Sequence, residues 1–187
     1  MFVLCLLPAL SLAHRAWTGD LGAFPIEELE LQTGRWTLRM LAITLAVTPV
    51  RRLFKWNGLI KYRRMLGLFA FFYATVHVST YLGLDALGDV AYIVEDIVEH
   101  KYITIGMLAY LMLIPLAITS TKGWVRRLGR RWQKLHRLVY VAAVAGTVHY
   151  LWAVKKDTFL PLVYLSIFVV LLGYRLVVWQ MGRRRAA

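Results

Sequence analysis

RRMLGLFAFFYATVHVSTYLG, residues 63–83, decides the fold. Two arginines are followed by an uncharged, largely apolar run that holds one imidazole, His77. A helix rises about 1.5 Å per residue and the hydrocarbon layer is about 30 Å thick, so such a run is long enough to cross a bilayer. Five further apolar blocks, at residues 1–13, 36–50, 103–120, 138–154 and 159–179, give the same reading. The expected fold is therefore an all-α integral membrane protein, a bundle of about six transmembrane helices forming a single domain over residues 1–187. The first block is short, but no basic residue precedes it, so it reads as a shortened start or a span extending to Trp17 rather than as a cleaved leader.

Composition agrees. The 187 residues are 59% hydrophobic, and the mean hydropathy is +0.57, well above a soluble domain. Of the 23 basic residues, 16 fall in segments 51–64, 122–137 and 183–185, which all lie on one side of a six-span model. All ten acidic residues fall in the other three connections, and none in a span. Because short loops rich in Lys and Arg stay in the cytoplasm, both termini are expected there. A net charge of +13 then points to anionic lipid headgroups as the partner, not nucleic acid. Cys5 stands alone, which excludes an intrachain disulfide or thiolate cluster.

Outside the spans, residues 18–34 and 84–101 have apolar residues at helical spacing and are candidates for helices lying on the membrane surface. Pro49 should close the second span, Pro161 should open the sixth, and only Pro115 should kink a helix. No internal repeat is strong enough in the sequence to argue from.

An ionisable or metal-ligating side chain inside a span is costly, so it is a candidate for function. His14 and His100 belong to outer loops and are set aside. His77 follows Arg63 and Arg64 by about as many residues as His149 follows His136, so His77 and His149 should lie at one depth on parallel helices, toward the outer face. Two imidazoles facing each other there are what a six-coordinate haem iron requires. The alternatives are ordinary hydrogen bonds between helices, or zinc, which would lack a carboxylate or thiolate at that depth. Phe69, Phe71, Phe72, Tyr73 and Tyr150, with Gly67, Ala70, Ala74, Ala142, Ala143, Ala145 and Gly146, would suit a flat macrocycle or plain helix packing.

His136 lies at the cytoplasmic mouth, about 20 Å from His149 along an ideal helix, room for a second redox centre. A spacing of thirteen residues leaves the two on different faces unless the helix is distorted, and Gly146 is the candidate for that distortion. The position matching His136 on the third span is Arg63. Arg63 can pair with a haem propionate or a flavin phosphate, or it can simply be one more cytoplasmic cation.

Taken together, Gln32-Thr33-Gly34-Arg35 with Thr48-Pro49, Arg63-Arg64-Met65-Leu66-Gly67-Leu68 with Ala74-Thr75-Val76-His77, Ile118-Thr119-Ser120-Thr121, Leu128-Gly129-Arg130-Arg131-Trp132-Gln133-Lys134-Leu135-His136 and His149-Tyr150-Leu151-Trp152 are specific. Over almost its whole length the chain resembles the MsrQ (YedZ) family. These are haem-binding membrane subunits of the bacterial periplasmic protein-methionine-sulfoxide reductase system, within the ferric reductase-like superfamily. The resemblance implies a haem b electron conduit in the inner membrane with one or two haems held by His77, His149 and His136, and FMN as a further cofactor. It also implies electrons from the quinone pool or a cytosolic flavin reductase, and a periplasmic molybdenum-dependent MsrP-type partner that carries the catalytic site for repair of oxidised proteins. Where the larger superfamily has a fourth histidine, this chain has Arg63. No Gly-rich nucleotide loop follows a strand, so binding of NADPH by this chain is not expected.

Overall fold

A computed structural model of the protein describes residues 1–154 and 157–184. Arg185, at the end of the last basic segment, lies outside them. Among the described residues the chain is helical with no strand. In chain order the helices are α1 Phe2–Thr18, α2 Pro25–Leu53, α3 Arg63–Thr80, α4 Val90–Glu99, α5 Lys101–Ile118, α6 Lys122–Leu128, α7 Arg130–Leu135, α8 Leu138–Ala153 and α9 Phe159–Arg184. The six long ones, α1, α2, α3, α5, α8 and α9, coincide with the six apolar blocks.

Three segments are long and apolar enough by themselves to cross a membrane: Asn57–Asp85, Lys101–Ile118 and Phe159–Met181. Helix α1 is apolar but shorter. Helix α2 has the length, at 29 residues, but carries Arg35 and Arg39 and an acidic first turn. Helix α8 has 16 residues.

Helices α2, α3, α5 and α8 form a square in which α3 and α8 sit at opposite corners, each packed on both α2 and α5. Helix α1 leans on α2 and α3, and α9 covers α8 and α2. Small side chains allow the close approach, since no hydrophobic drive separates helix from lipid inside a bilayer. Ala70 and Ala143 are wholly inaccessible, and Leu41, Leu45, Ala142 and Phe168 nearly so. These alanines pack helix on helix.

Residues 18–34 do not form a separate surface helix. Pro25, with its φ preset for the first helical turn, starts α2 there, and the acidic stretch becomes the first turns of that continuous helix. Helix α4 does form, capped by the Asp89 carboxylate, which accepts from the Ala91 and Tyr92 N–H groups. In the basic connection, Gly129 at φ +50° breaks α6 from α7. Pro49 lies inside α2, which continues to Leu53.

Pro8, inside α1, has a consequence the sequence did not suggest. A proline removes one ladder hydrogen bond, and beside it the buried Tyr73 hydroxyl accepts from Ala9 N–H at 3.2 Å and donates to Cys5 C=O at 2.7 Å. That phenol ties α1 to α3.

The internal repeat that is too weak in sequence is plain in space. Helix α2 pairs with α3 as α5 pairs with α8. The interval from Gly34 to Gly106 equals that from His77 to His149, and Thr75-Val76-His77 reappears as Thr147-Val148-His149.

Candidate functional site

The two pairs bring their histidines together. His77 on α3 and His149 on α8 have ring centroids 6.0 Å apart with planes inclined at 72°. Each ring leans on a glycine of the neighbouring helix. A Cβ at Gly34 would sit 3.4 Å from the His77 ring, and one at Gly106 only 2.6 Å from His149 Nδ1. Glycine at 106 is therefore a condition for the ring to occupy its place.

Each ring is also anchored in the same way. His77 Nδ1 lies 2.9 Å from Glu30 C=O, and His149 Nδ1 lies 2.7 Å from Tyr102 C=O. Each carbonyl belongs to the residue one turn before the supporting glycine. A carbonyl only accepts, so Nδ1 carries the proton in both rings and Nε2 keeps its lone pair. Neither Nε2 has a hydrogen-bond partner among the described residues. A fixed Nδ1–H with a free Nε2 is the state of a metal-ligating histidine.

Imidazole–metal bonds of about 2 Å allow one ion between rings at this separation. Among the described residues no group of three or more His, Cys, Asp or Glu side chains could hold a metal. A tetrahedral zinc site is thus unsupported, while two imidazoles at this separation would suit a haem iron, whose macrocycle would supply the remaining ligands.

At the basic end the arrangement differs. His136 is not on α8; it follows α7 and precedes the first turn of α8. Its direction is therefore set by the turn, and the phase argument for a shared helix lapses. Gly146 lies in unbroken α8, where a Cβ would meet Leu38 at 3.5 Å; it serves packing, not distortion. The His136 ring stacks on Trp132 at 3.9 Å, and its Nε2 lies 2.9 Å from the Thr119 hydroxyl. That hydroxyl already donates to Pro115 C=O at 2.6 Å, so His136 Nε2 is the donor to Thr119. Burial, and then the charge of Arg63, hold its pKa below the usual imidazole value, which keeps the ring neutral near pH 7. Ligation through Nε2 requires the Thr119 bond to break first.

His136 opens onto a cavity of about 570 Å³ whose rim includes Arg63, Arg64, Lys122, Arg126 and Trp132. Gly67 and Phe71 line it too, and Phe72 of the same set faces a separate cavity. Arg63 makes no hydrogen bond or ion pair among the described residues, and the Arg175 and Arg51 charges act on it. A half-buried guanidinium without an acceptor, facing a basic-rimmed cavity, suits an anionic group.

Sequence reasoning missed three guanidinium–phenol pairs: Arg35 donates to Tyr150 at 2.9 Å, Arg39 to Tyr164 at 3.1 Å, and Arg175 to Tyr140 at 3.0 Å. Arg39 and Arg175 lie inside predicted spans, and charge at such depth was the available signal. His14 is exposed. His100, set aside as a loop residue, stands instead next to Tyr102 with centroids 5.6 Å apart.

Residues 33–147 match the model of the ferric reductase like transmembrane component family. That stretch takes in Gly34, Arg63, His77, Gly106 and His136 and stops just short of His149. The chain is 49% identical to the protein-methionine-sulfoxide reductase heme-binding subunit MsrQ of Azospira oryzae over 95% of its own length and 77% of the relative's. It is 51% identical to that of Herminiimonas arsenicoxydans, over 98% and 85%, and 51% identical to that of Rhodospirillum rubrum, over 95% and 86%. No solved structure matches.

Proposed function

Because the chain belongs to the MsrQ family of ferric reductase-like, haem-binding membrane subunits, we propose that it carries electrons singly across the bacterial inner membrane through b-type haem. They pass to a periplasmic molybdenum-dependent reductase of methionine sulfoxide, for repair of oxidised proteins. The observation that carries this reading is the matched pair His77 and His149, with ring centroids 6.0 Å apart, both Nδ1 atoms committed to carbonyls and both Nε2 atoms without a hydrogen-bond partner among the described residues.

Residues 1–187 act as one domain, with the basic end and both termini in the cytoplasm. Haem held between His77 and His149 supplies a one-electron carrier cycling between ferric and ferrous states. The protein's part is to hold both imidazoles in one tautomer, to exclude water by close packing of α2, α3, α5 and α8, and to place the acidic end toward the acceptor. At the basic end, Arg63 and its neighbours receive an anionic group, a haem propionate or a flavin phosphate, and His136 supplies a ligand or a contact there. Electrons enter on that side from the quinone pool or a cytosolic flavin reductase.

Haem content per chain with a reduced-minus-oxidised spectrum tests this. A low-spin b-type spectrum supports it, and a purified chain without a Soret band under haem-preserving conditions overturns it.

A further inference from the structure

The acidic end offers one continuous way out of the paired-histidine site. Tyr102, whose carbonyl anchors His149, also places its ring beside the same histidine, with centroids 6.1 Å apart. The next ring is His100, 5.6 Å further on. The His100 side chain is 49% exposed and is held by Asp96, whose carboxylate is only 11% exposed and meets His100 Nδ1 at 2.7 Å. The second Asp96 oxygen accepts from the Tyr81 hydroxyl at 2.7 Å. A carboxylate this buried, with both oxygens used, pins an exposed imidazole at the corner between α4 and α5. On the other side of the pair, His77 Nδ1 meets the Glu30 carbonyl and the Thr33 hydroxyl, and among the described residues no aromatic ring other than His149 stands beside it.

The surface at this corner is of one sign. Asp85, Asp89, Glu95, Asp96 and Glu99 stand within the segment that ends at Lys101, its single cation. Glu95 and Glu99 are exposed, as are Tyr92, Val94 and Val98. A partner that brings a redox centre here meets a negative, partly apolar face, and opposite charge steers and orients such encounters.

We propose that electrons leave the paired-histidine site along His149, Tyr102 and His100, and that the α4–α5 corner is the docking point for a soluble redox protein with a basic rim around its centre. This rests on the electron-carrier function proposed above. In each transfer the haem iron goes from ferrous to ferric and the acceptor's centre gains that electron. No bond forms or breaks, no proton is required, and the rings bridge the gap without being oxidised.

The test uses the full, haem-loaded chain in nanodiscs of zwitterionic lipid, reduced and then mixed with cytochrome c, a basic haem protein. Glu95→Lys combined with Glu99→Lys is expected to slow its oxidation about tenfold at low salt and hardly at all at high salt. His100→Leu lowers the limiting rate at saturating cytochrome c severalfold, and His100→Phe, which keeps a ring, restores it. Oxidation by neutral benzoquinone stays at the wild-type rate in the double charge reversal. Wild-type rates with cytochrome c in the double charge reversal, or in His100→Leu, overturn the proposal while leaving the haem function standing. A chain that binds no haem overturns both.

Discussion

The two ends of α8 hold a histidine in opposite ways. At the acidic end, His149 has its Nδ1–H spent on a carbonyl, its ring seated on a glycine and beside that of His77, and its Nε2 without a partner among the described residues. At the basic end, His136 has its Nε2–H spent on Thr119 and its face covered by Trp132, and an arginine stands where a second imidazole would be. One residue type is thus prepared for a metal in one place and for hydrogen bonding in the other. The difference comes from what the neighbouring helix offers: a carbonyl facing Nδ1 leaves a ligand, and a hydroxyl facing Nε2 occupies one.

The largest effects should come from removing a member of the prepared pair. Either His77→Ala or His149→Ala is expected to abolish the low-spin haem spectrum of the outer site, while His136→Ala leaves it and alters only a second signal or the reduction from the cytoplasmic side. An outer spectrum that survives both of the first two substitutions breaks the comparison.

The glycine seats should rank next, and unequally. Gly106→Ala places a methyl 2.6 Å from His149 Nδ1, against 3.4 Å for Gly34→Ala and His77. Haem occupancy is therefore expected to fall far more in the first, and equal losses would show that the seats do not set the rings. Smaller still is the tie between α1 and α3. Tyr73→Phe removes the hydroxyl beside Pro8, is expected to cost about 1 kcal/mol in thermal unfolding, and leaves the haem spectrum unchanged.

The smallest is a pH effect at Glu30, in the first turns of α2 outside the apolar stretch. Burial first, and then the charges of Asp85, Glu27 and Asp96, raise its carboxyl to about 7, and its Oε1 is buried without a partner among the described residues. A pKa raised on folding adds stability that is complete below the unfolded value, near 4.5, and is lost as pH rises through 7. Thermal melts should show the wild type losing stability between pH 5 and 8 relative to Glu30→Gln, and parallel curves would contradict this.

Much of the framework was legible because membrane burial writes itself into charge. Six apolar blocks, the segregation of acids from bases, and the equal depth of His77 and His149 all follow from the cost of charge in hydrocarbon. What stayed hidden depends on backbone atoms, which every sequence contains alike. The carbonyls of Glu30 and Tyr102 fix the tautomers, yet nothing in those side chains announces it. The seats could have been found from the equal interval linking Gly34 to Gly106 and His77 to His149, a repeat that Thr75-Val76 and Thr147-Val148 share. The turn at His136 and Arg137, which takes His136 off the axis of α8, stayed hidden because no glycine or proline marks it.

The most direct test is electron paramagnetic resonance of the oxidised, full-length chain in lipid nanodiscs, recorded for wild type, His77→Ala, His149→Ala and His136→Ala. A bis-imidazole low-spin ferric signal that disappears in the first two variants and persists in the third is the predicted result. A signal that persists in both His77→Ala and His149→Ala, or that vanishes only with His136, would contradict the assignment of the outer pair as the haem ligands.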